Sequence, residues 1–244
     1  MRKGQVNLMI RVFVVVLFAL AALTAFAVYF LRNVWFFRDP KRVPPQKSGL
    51  IVSPADGKVM YIKKIRNGEV VSEKLGEKIE ISEITKHDKG SGRDGWLIGI
   101  YMSPLDVHYN YSPISGEVEQ IVHTQAPVNL PMVDLWEYVK LVYLRKGVDL
   151  FAKRFHFVNE RNTIFMKNKH ISMVVVEIAD KFVNKIDCFV KEGDRLGIGD
   201  KLSFIKRGSQ ADVVVFKEDI EIKVKFGDQV YGGETVLAEY DEKQ

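Results

Sequence analysis

One long apolar run, VFVVVLFALAALTAFAVYFL at residues 12–31, precedes a chain whose other hydrophobic positions come in short bursts. The run carries no charge, and twenty residues at ~1.5 Å each make a helix of about 30 Å, the thickness of a bilayer core. Beyond residue 50 the pattern changes to strand-length segments separated by turn residues. VMYIKKI and EVVSEK flank Asn67-Gly68, which predicts a hairpin with a tight turn. WLIGIYM (96–102) is apolar throughout; GEVEQIVH (116–123) alternates, and ISMVVVEIA (171–179) does so less strictly. VVVF, IEIKVKFG and TVLAEY predict three more strands near the C-terminus. The expected fold is mostly β (α+β), with one or two helices at most.

The helix candidate is residues 132–146, where Leu135, Val139, Val142 and Tyr143 fall on one helical stripe. Trp136, Lys140, Arg145 and Lys146 give it the profile of a helix at a membrane surface. A helix packed on the sheet is the equal alternative.

Charge then orients the chain. Arg2, Lys3 and Arg11 precede the apolar run; Arg32, Arg38, Lys41, Arg42 and Lys47 follow it against the single Asp39. The heavier positive flank predicts a cell-membrane anchor with a cytoplasmic body. Tyr29, Trp35, Phe36 and Phe37 lie where aromatic rings settle at the headgroup boundary. A cleaved signal peptide is the competing reading, but YFLRNVWFF lacks the small residues of a cleavage site. The expected organisation is a flank (1–11), an anchor (12–31), a basic, proline-rich linker (32–50) and a β-rich domain (51–244). Net charge is +5, but outside the membrane flanks basic and acidic residues interleave. No nucleic-acid-reading helix or finger spacing occurs. Cys188, the only cysteine, is expected to be a buried strand residue without thiolate chemistry.

Two short patterns recur. SPADGKV (53–59) echoes SPISGEV (112–118), and VKEGD (190–194) echoes VKFGD (224–228). Strands joined by such turns resemble the repeat unit of barrel-sandwich domains that carry lipoyl or biotinyl groups. The lysine triplets of those domains are absent.

Four places could hold chemistry: Ser53-Pro54-Ala55-Asp56-Gly57; the segment from Met102 to His108; Asn159-Glu160-Arg161-Asn162; and Arg207-Gly208-Ser209. Each has a plain structural explanation alone: a turn, a core histidine, a solvated loop, a common loop dipeptide. In this order, however, SPADG, S-x-x-DVH-x-N, NER and Gly-Ser resemble the phosphatidylserine decarboxylase family, in particular its short bacterial and archaeal proenzymes. FFRDP at residues 36–40 matches as well, so the resemblance runs from Phe36 to about Val215.

That resemblance implies self-cleavage between Gly208 and Ser209, with Ser209 becoming a covalent pyruvoyl cofactor. Ser209, His108 and Asp56 would form the processing triad, His108 as base and Asp56 as its orienter. Asp106 is a second candidate orienter: if its segment is a strand, it shares a side with His108. The pyruvoyl group would form a Schiff base with a phosphatidylserine-type lipid, release carbon dioxide and leave the ethanolamine-type lipid, with His108 returning the proton. Arg161 and Asn159 are candidates for substrate binding, a structural salt bridge being the alternative for Arg161. Partners would be the membrane phospholipid and the two cleavage products held as a heterodimer, with a homodimer open. No metal site is expected.

The chain also departs from the family. The loop before Gly208 is longer, Arg207 replaces an apolar or glycine residue, and Tyr111 stands where longer members carry a second histidine. The alternatives are an archaetidylserine decarboxylase, a member that no longer processes itself, and a non-catalytic, membrane-anchored barrel-sandwich adaptor.

Overall fold

A computed structural model describes residues 3–71, 78–144, 146–181, 186–206 and 209–242. It divides into two units, residues 1–38 and 39–244. The first is the helix α1 (Lys3–Phe30), continued by one π-helical turn, Leu31–Trp35. Its segment Asn7–Trp35 is long and apolar enough to cross a membrane, at a mean hydropathy of 2.7. Two of its polar side chains turn back on the helix: Thr24 Oγ1 donates to the Leu20 carbonyl (2.8 Å) and Asn33 Nδ2 to that of Tyr29 (2.9 Å). The helix therefore runs past residue 31, and the first residues assigned to a linker are helical.

The second unit is a mixed α/β fold built mainly from strands. In order these are β1 (Leu50–Val52), β2 (Gly57–Ile65), β3 (Glu69–Val71), β4 (Lys78–Glu80), α2 (Ile81–Thr85), β5 (Gly95–Met102), β6 (Tyr109–Tyr111) and β7 (Gly116–Thr124). Then follow α3 (Leu135–Val142), α4 (Phe155–Val158), β8 (Arg161–Lys167), β9 (Ser172–Ala179), β10 (Ile186–Cys188), β11 (Arg195–Leu196) and β12 (Lys201–Ile205). The last are β13 (Ser209–Val215), β14 (Ile220–Ile222), β15 (Gln229–Val230) and β16 (Val236–Tyr240).

Eight strands form a sheet in the order β11-β7-β8-β9-β13-β5-β2-β15, curled into a half-barrel. Neighbours in it are antiparallel throughout. Three smaller sheets, β1-β16-β14, β10-β12-β6 and β3-β4, complete the unit. Strand β13 lies between β5 and β9, and all seven of its residues are buried. Because side chains alternate across a strand, each face builds its own core. Ile98, Ile100, Val175, Ala211 and Val213 belong to one; Leu97, Tyr101, Val174, Val176 and Val214 belong to the other.

The recurring patterns prove to be structurally paired. Ser53 Oγ donates to the Ala55 carbonyl (2.6 Å), as Ser112 Oγ does to that of Ile114 (2.7 Å). The Ser53 carbonyl accepts from Gly233 N (2.8 Å), and that of Ser112 from Gly199 N (2.9 Å). Val59 N meets the Asp228 carbonyl and Val118 N that of Asp194, both at 2.9 Å. Gly227 and Gly193 hold φ of 86° and 88°, values that favour glycine. The two halves cross where Tyr111 N donates to the Pro54 carbonyl (2.7 Å) and Val52 N to that of Pro113 (2.9 Å). Each Ser-Pro turn is thus clasped by its own Gly-Asp turn.

Several expectations need correction. The Asn67-Gly68 turn forms, with φ of 51° and 77°, the two positive values of a type I′ hairpin. Strand β3, however, is short and pairs with β4. The helix candidate shortens to α3, whose start is fixed by a capping box between Asp134 and Glu137. Val133, Leu141 and Val142 pack on the core, while Leu135, Trp136 and Tyr143 are 82%, 61% and 73% exposed. The described residues contain four α-helices, because α2 and α4 are too short to leave a sequence periodicity. Cys188 lies on a strand but is exposed.

Candidate active site

Ser209 opens β13 and is paired with Met102 at the end of β5 and with Ala179 at the end of β9. Its hydroxyl is buried and lies 3.0 Å from the Met102 sulfur, a weak acceptor. Arg207 and Gly208, the rest of the expected cleavage site, lie outside the described residues.

His108 is also fully buried, one residue before β6. Its carbonyl accepts from Ile205 N (3.0 Å), which extends the β6–β12 pairing, and Ile205 packs on Ala179 opposite Ser209. The backbones of Ser209 and His108 are therefore each paired with a member of one apolar cluster. His108 Nδ1 lies 2.9 Å from the Asp106 carbonyl. A carbonyl only accepts, so Nδ1 carries the proton and Nε2 is the basic nitrogen of the neutral ring.

Residues 103–106 form a turn, not the strand on which Asp106 and His108 would share a side. The Asp106 carboxylate caps this turn, accepting from Ser103 N (2.8 Å) and Ser103 Oγ (2.7 Å). It orients His108 through its backbone. Burial raises the Asp106 pKa; the Ser103 bonds oppose this, and the nearby charge of Asp56 adds to it. Asp56 itself accepts from Arg42 Nη2 (2.6 Å) and Gly232 N (2.8 Å). Arg42 also reaches Glu234 (3.3 Å) and the Tyr111 hydroxyl (3.4 Å). Asp56 thus lies beside the turn that carries His108, clamped by an arginine.

Arg161 and Asn159 are placed differently from the substrate-binding expectation. In the β8–β9–β13 register Arg161 stands over Ile178 and Gln210, on the face opposite Ser209. It is fully buried, and its donors go to the carbonyls of Asn159, Ile84, His156 and Phe155. Burial lowers its pKa to about 10. Asn159 donates to the carbonyls of Leu130 (2.8 Å) and Ala179 (2.7 Å) and accepts from Leu130 N (2.8 Å). Arg161 braces the far face, and Asn159 pins the end of β9 that meets Ser209.

Two buried polar groups were not anticipated. On the Ser209 face, Glu177 of β9 accepts from Ser203 Oγ and from Asn162 Nδ2 (3.0 Å). Burial pushes its pKa up to about 7, against these bonds. On the other face, Tyr61 donates to Asp212 (2.6 Å), and Gln210 Nε2 lies 2.8 Å from His156 Nε2. The Tyr61 ring covers Gly99, where a Cβ would approach it to 2.1 Å. One signal for both groups was present in the sequence: Gln210, Asp212 and Glu177 interrupt otherwise apolar strands.

A cleft of about 490 Å³ lies beside this region, lined by His123, Glu160, Asn162, Ile186 and Cys188 among others. Ile186 packs on Ala179 and Ile205, so the cleft borders the Ser209–His108 cluster.

Comparison with known proteins gives the same direction. Residues 29–238 match the phosphatidylserine decarboxylase family model. The chain belongs to the phosphatidylserine decarboxylase family. A Methanocaldococcus jannaschii protein named as a candidate archaetidylserine decarboxylase proenzyme is 34% identical over 208 residues, 85% of this chain and 89% of that one. A phosphatidylserine decarboxylase proenzyme of Carboxydothermus hydrogenoformans is 33% identical, covering 85% and 79%. A Methanothermobacter thermautotrophicus protein, named like the first, is 33% identical over 84% and 79%. Within this decarboxylase family match lie Ser209, His108 and Asp56.

Proposed function

We propose that the chain is a membrane-anchored decarboxylase that cleaves itself between Gly208 and Ser209 and acts on the serine headgroup of a phospholipid. The observation that carries this reading is that buried Ser209 pairs with Ala179 and the carbonyl of buried His108 with Ile205, two residues that pack in one apolar cluster. A hydroxyl at the head of a central strand attacks the preceding carbonyl once a base takes its proton. His108 supplies that base at Nε2, its tautomer held by the Asp106 carbonyl. Asp56, beside the same turn, favours the positively charged imidazole that results.

The acyl group of Gly208 thereby moves from nitrogen to the Ser209 oxygen. Loss of the Ser209 α-proton then expels Gly208 as a carboxylate, and water converts the dehydroalanine to a pyruvoyl group with release of ammonia. The Ser209 position suits this change: its neighbours across the ladder are small Ala179 and flexible Met102, and it already leads a strand. The pyruvoyl group supplies an electron sink for loss of carbon dioxide from an amine-bearing substrate. The cleft lined by Glu160 and Asn162 supports entry of a headgroup from the side of β10.

The apolar helix supports a single-pass anchor, and the basic residues after it support a cytoplasmic domain. The paired Ser-Pro and Gly-Asp turns support a barrel-sandwich-like frame. Relatives named for a diacyl and for an archaeal lipid share the same serine phosphate, so either lipid fits the reading.

Intact-mass measurement tests it. Purified protein should contain residues 1–208 and a 36-residue fragment (244 − 208) blocked at its N-terminus. His108→Ala should give one uncleaved chain and no carbon dioxide release. A single full-length wild-type chain would overturn the reading.

A further inference from the structure

Glu177 sits on the same face of the sheet as Ser209. It opposes Ala211 on β13, two residues from the Ala179–Ser209 pair, which puts the two side chains at a diagonal spacing of about 7–8 Å. It is fully buried, as are Ser203 and Asn110, and Asn162 is nearly so. Its carboxyl ties together the elements that must align for self-cleavage. Ser203 donates to it from β12, the strand that leads to Ser209. Asn110 donates to Ser203 Oγ (3.0 Å) from β6, two residues after His108. Asn162 donates from β8.

Among the described residues, the side chains facing it from the packed elements are uncharged. Ala211 faces it from β13, Asn162 from β8, Ser203 from β12 and Asn110 from β6. Cys188 on β10 is the ionisable group that senses its charge, and that thiol is itself shifted upward, first by desolvation. His123 and Glu160, paired at 3.3 Å, lie further out along the cleft that reaches Asn162 and offers a route for proton exchange.

We propose that Glu177 is a positioning residue for self-processing and that it is competent as the neutral acid. As a neutral group it holds the His108 and Ser209 strands through Ser203 and Asn110. As an anion it sets a buried negative charge on the Ser209 face, two ladder positions from the attacking hydroxyl, which opposes the negative charge that the attack develops. The inference rests on the self-cleavage reading. An acid with a midpoint near neutrality would then gate cleavage in the physiological range.

The test follows cleavage of the full chain, synthesised cell-free into lipid nanodiscs and chased from pH 5.5 to pH 9, by mass. Wild-type cleavage should fall above about pH 7 by up to about tenfold per unit. Glu177→Gln should abolish the alkaline fall. Ser203→Ala, which removes a bond favouring the charged form, should move the fall to higher pH. The inference is overturned if the wild-type rate stays level to pH 9, or if the fall survives unshifted in both variants. Absence of cleavage at every pH in the wild type would instead sink the self-cleavage reading, and this inference with it.

Discussion

The Ser209 hydroxyl and the Met102 sulfur face each other across the β5–β13 pair at 3.0 Å. A thioether holds a hydroxyl only weakly, so the hydroxyl is shielded from water without being tied to a strong partner. Met102→Leu should keep stability within ~1.5 kcal/mol and keep cleavage, because volume is conserved. Met102→Ala should cost ~2–5 kcal/mol, read as a lower denaturation midpoint.

Arg161 should behave as a structural residue. Arg161→Met leaves buried carbonyls without donors and should destabilise by at least ~3 kcal/mol. Arg161→Lys should recover only part of this, since an ammonium lacks the planar fork. Thermal unfolding measures both. A raised KM for lipid with an unchanged melting temperature would contradict the placement on the far face.

The Arg42–Asp56 pair is nearly buried, with side-chain exposures of 8% and 6%. Arg42→Met should therefore cost about 3–5 kcal/mol by stranding a carboxylate. Asp56→Asn keeps an acceptor for Gly232 N but removes the charge near His108. It should slow cleavage by about tenfold or more in a time course by mass, while Arg42→Met/Asp56→Asn together should melt above Arg42→Met alone.

Glu177 also links stability to pH. Its folded pKa of about 7 exceeds the ordinary 4.5, so the folded chain binds the extra proton between those values. The stabilisation is fully present below about pH 4.5 and is lost as pH rises through about 7. Its size is on the order of 3 kcal/mol. Denaturant titrations of Glu177→Gln against wild type should show this slope in the wild type alone.

The exposed stripe of α3 predicts bilayer contact. In the full chain with Trp35→Phe and Trp96→Phe, Trp136 should be quenched by lipids brominated near the headgroup in anionic nanodiscs. Leu135→Ser/Tyr143→Ser should abolish that quenching. Unquenched, water-like emission before mutation would contradict the contact.

The strands were legible wherever apolar residues ran to strand length, as in 96–102 and 171–179, and the Asn67-Gly68 turn was legible because only certain residues accept its dihedrals. The site was legible in part. Ser209, His108 and Asp56 were named from motifs, and each is buried. What the motifs could not convey was sheet face. Arg161 and Asn162 are neighbours in sequence, yet β8 sends one to the far core and the other to Glu177. Glu177 itself stands in an apolar strand like a stray residue; its partners arrive from the preceding strand and from two strands distant in sequence. The exposure of Cys188 is not legible in the sequence, because its apolar neighbours say nothing about whether a short outer strand is covered.

The two Ser-Pro turns share a backbone but not a side chain at their fourth position, where Asp56 answers to Ser115. The turn's backbone closes around either residue, so what the acid adds is its hold on Arg42 and Gly232 N. An uncharged residue at position 56 would leave the turn's backbone bonds intact yet strand the Arg42 guanidinium: near-symmetry supplies both corners, and the arginine clamp sets one of them apart.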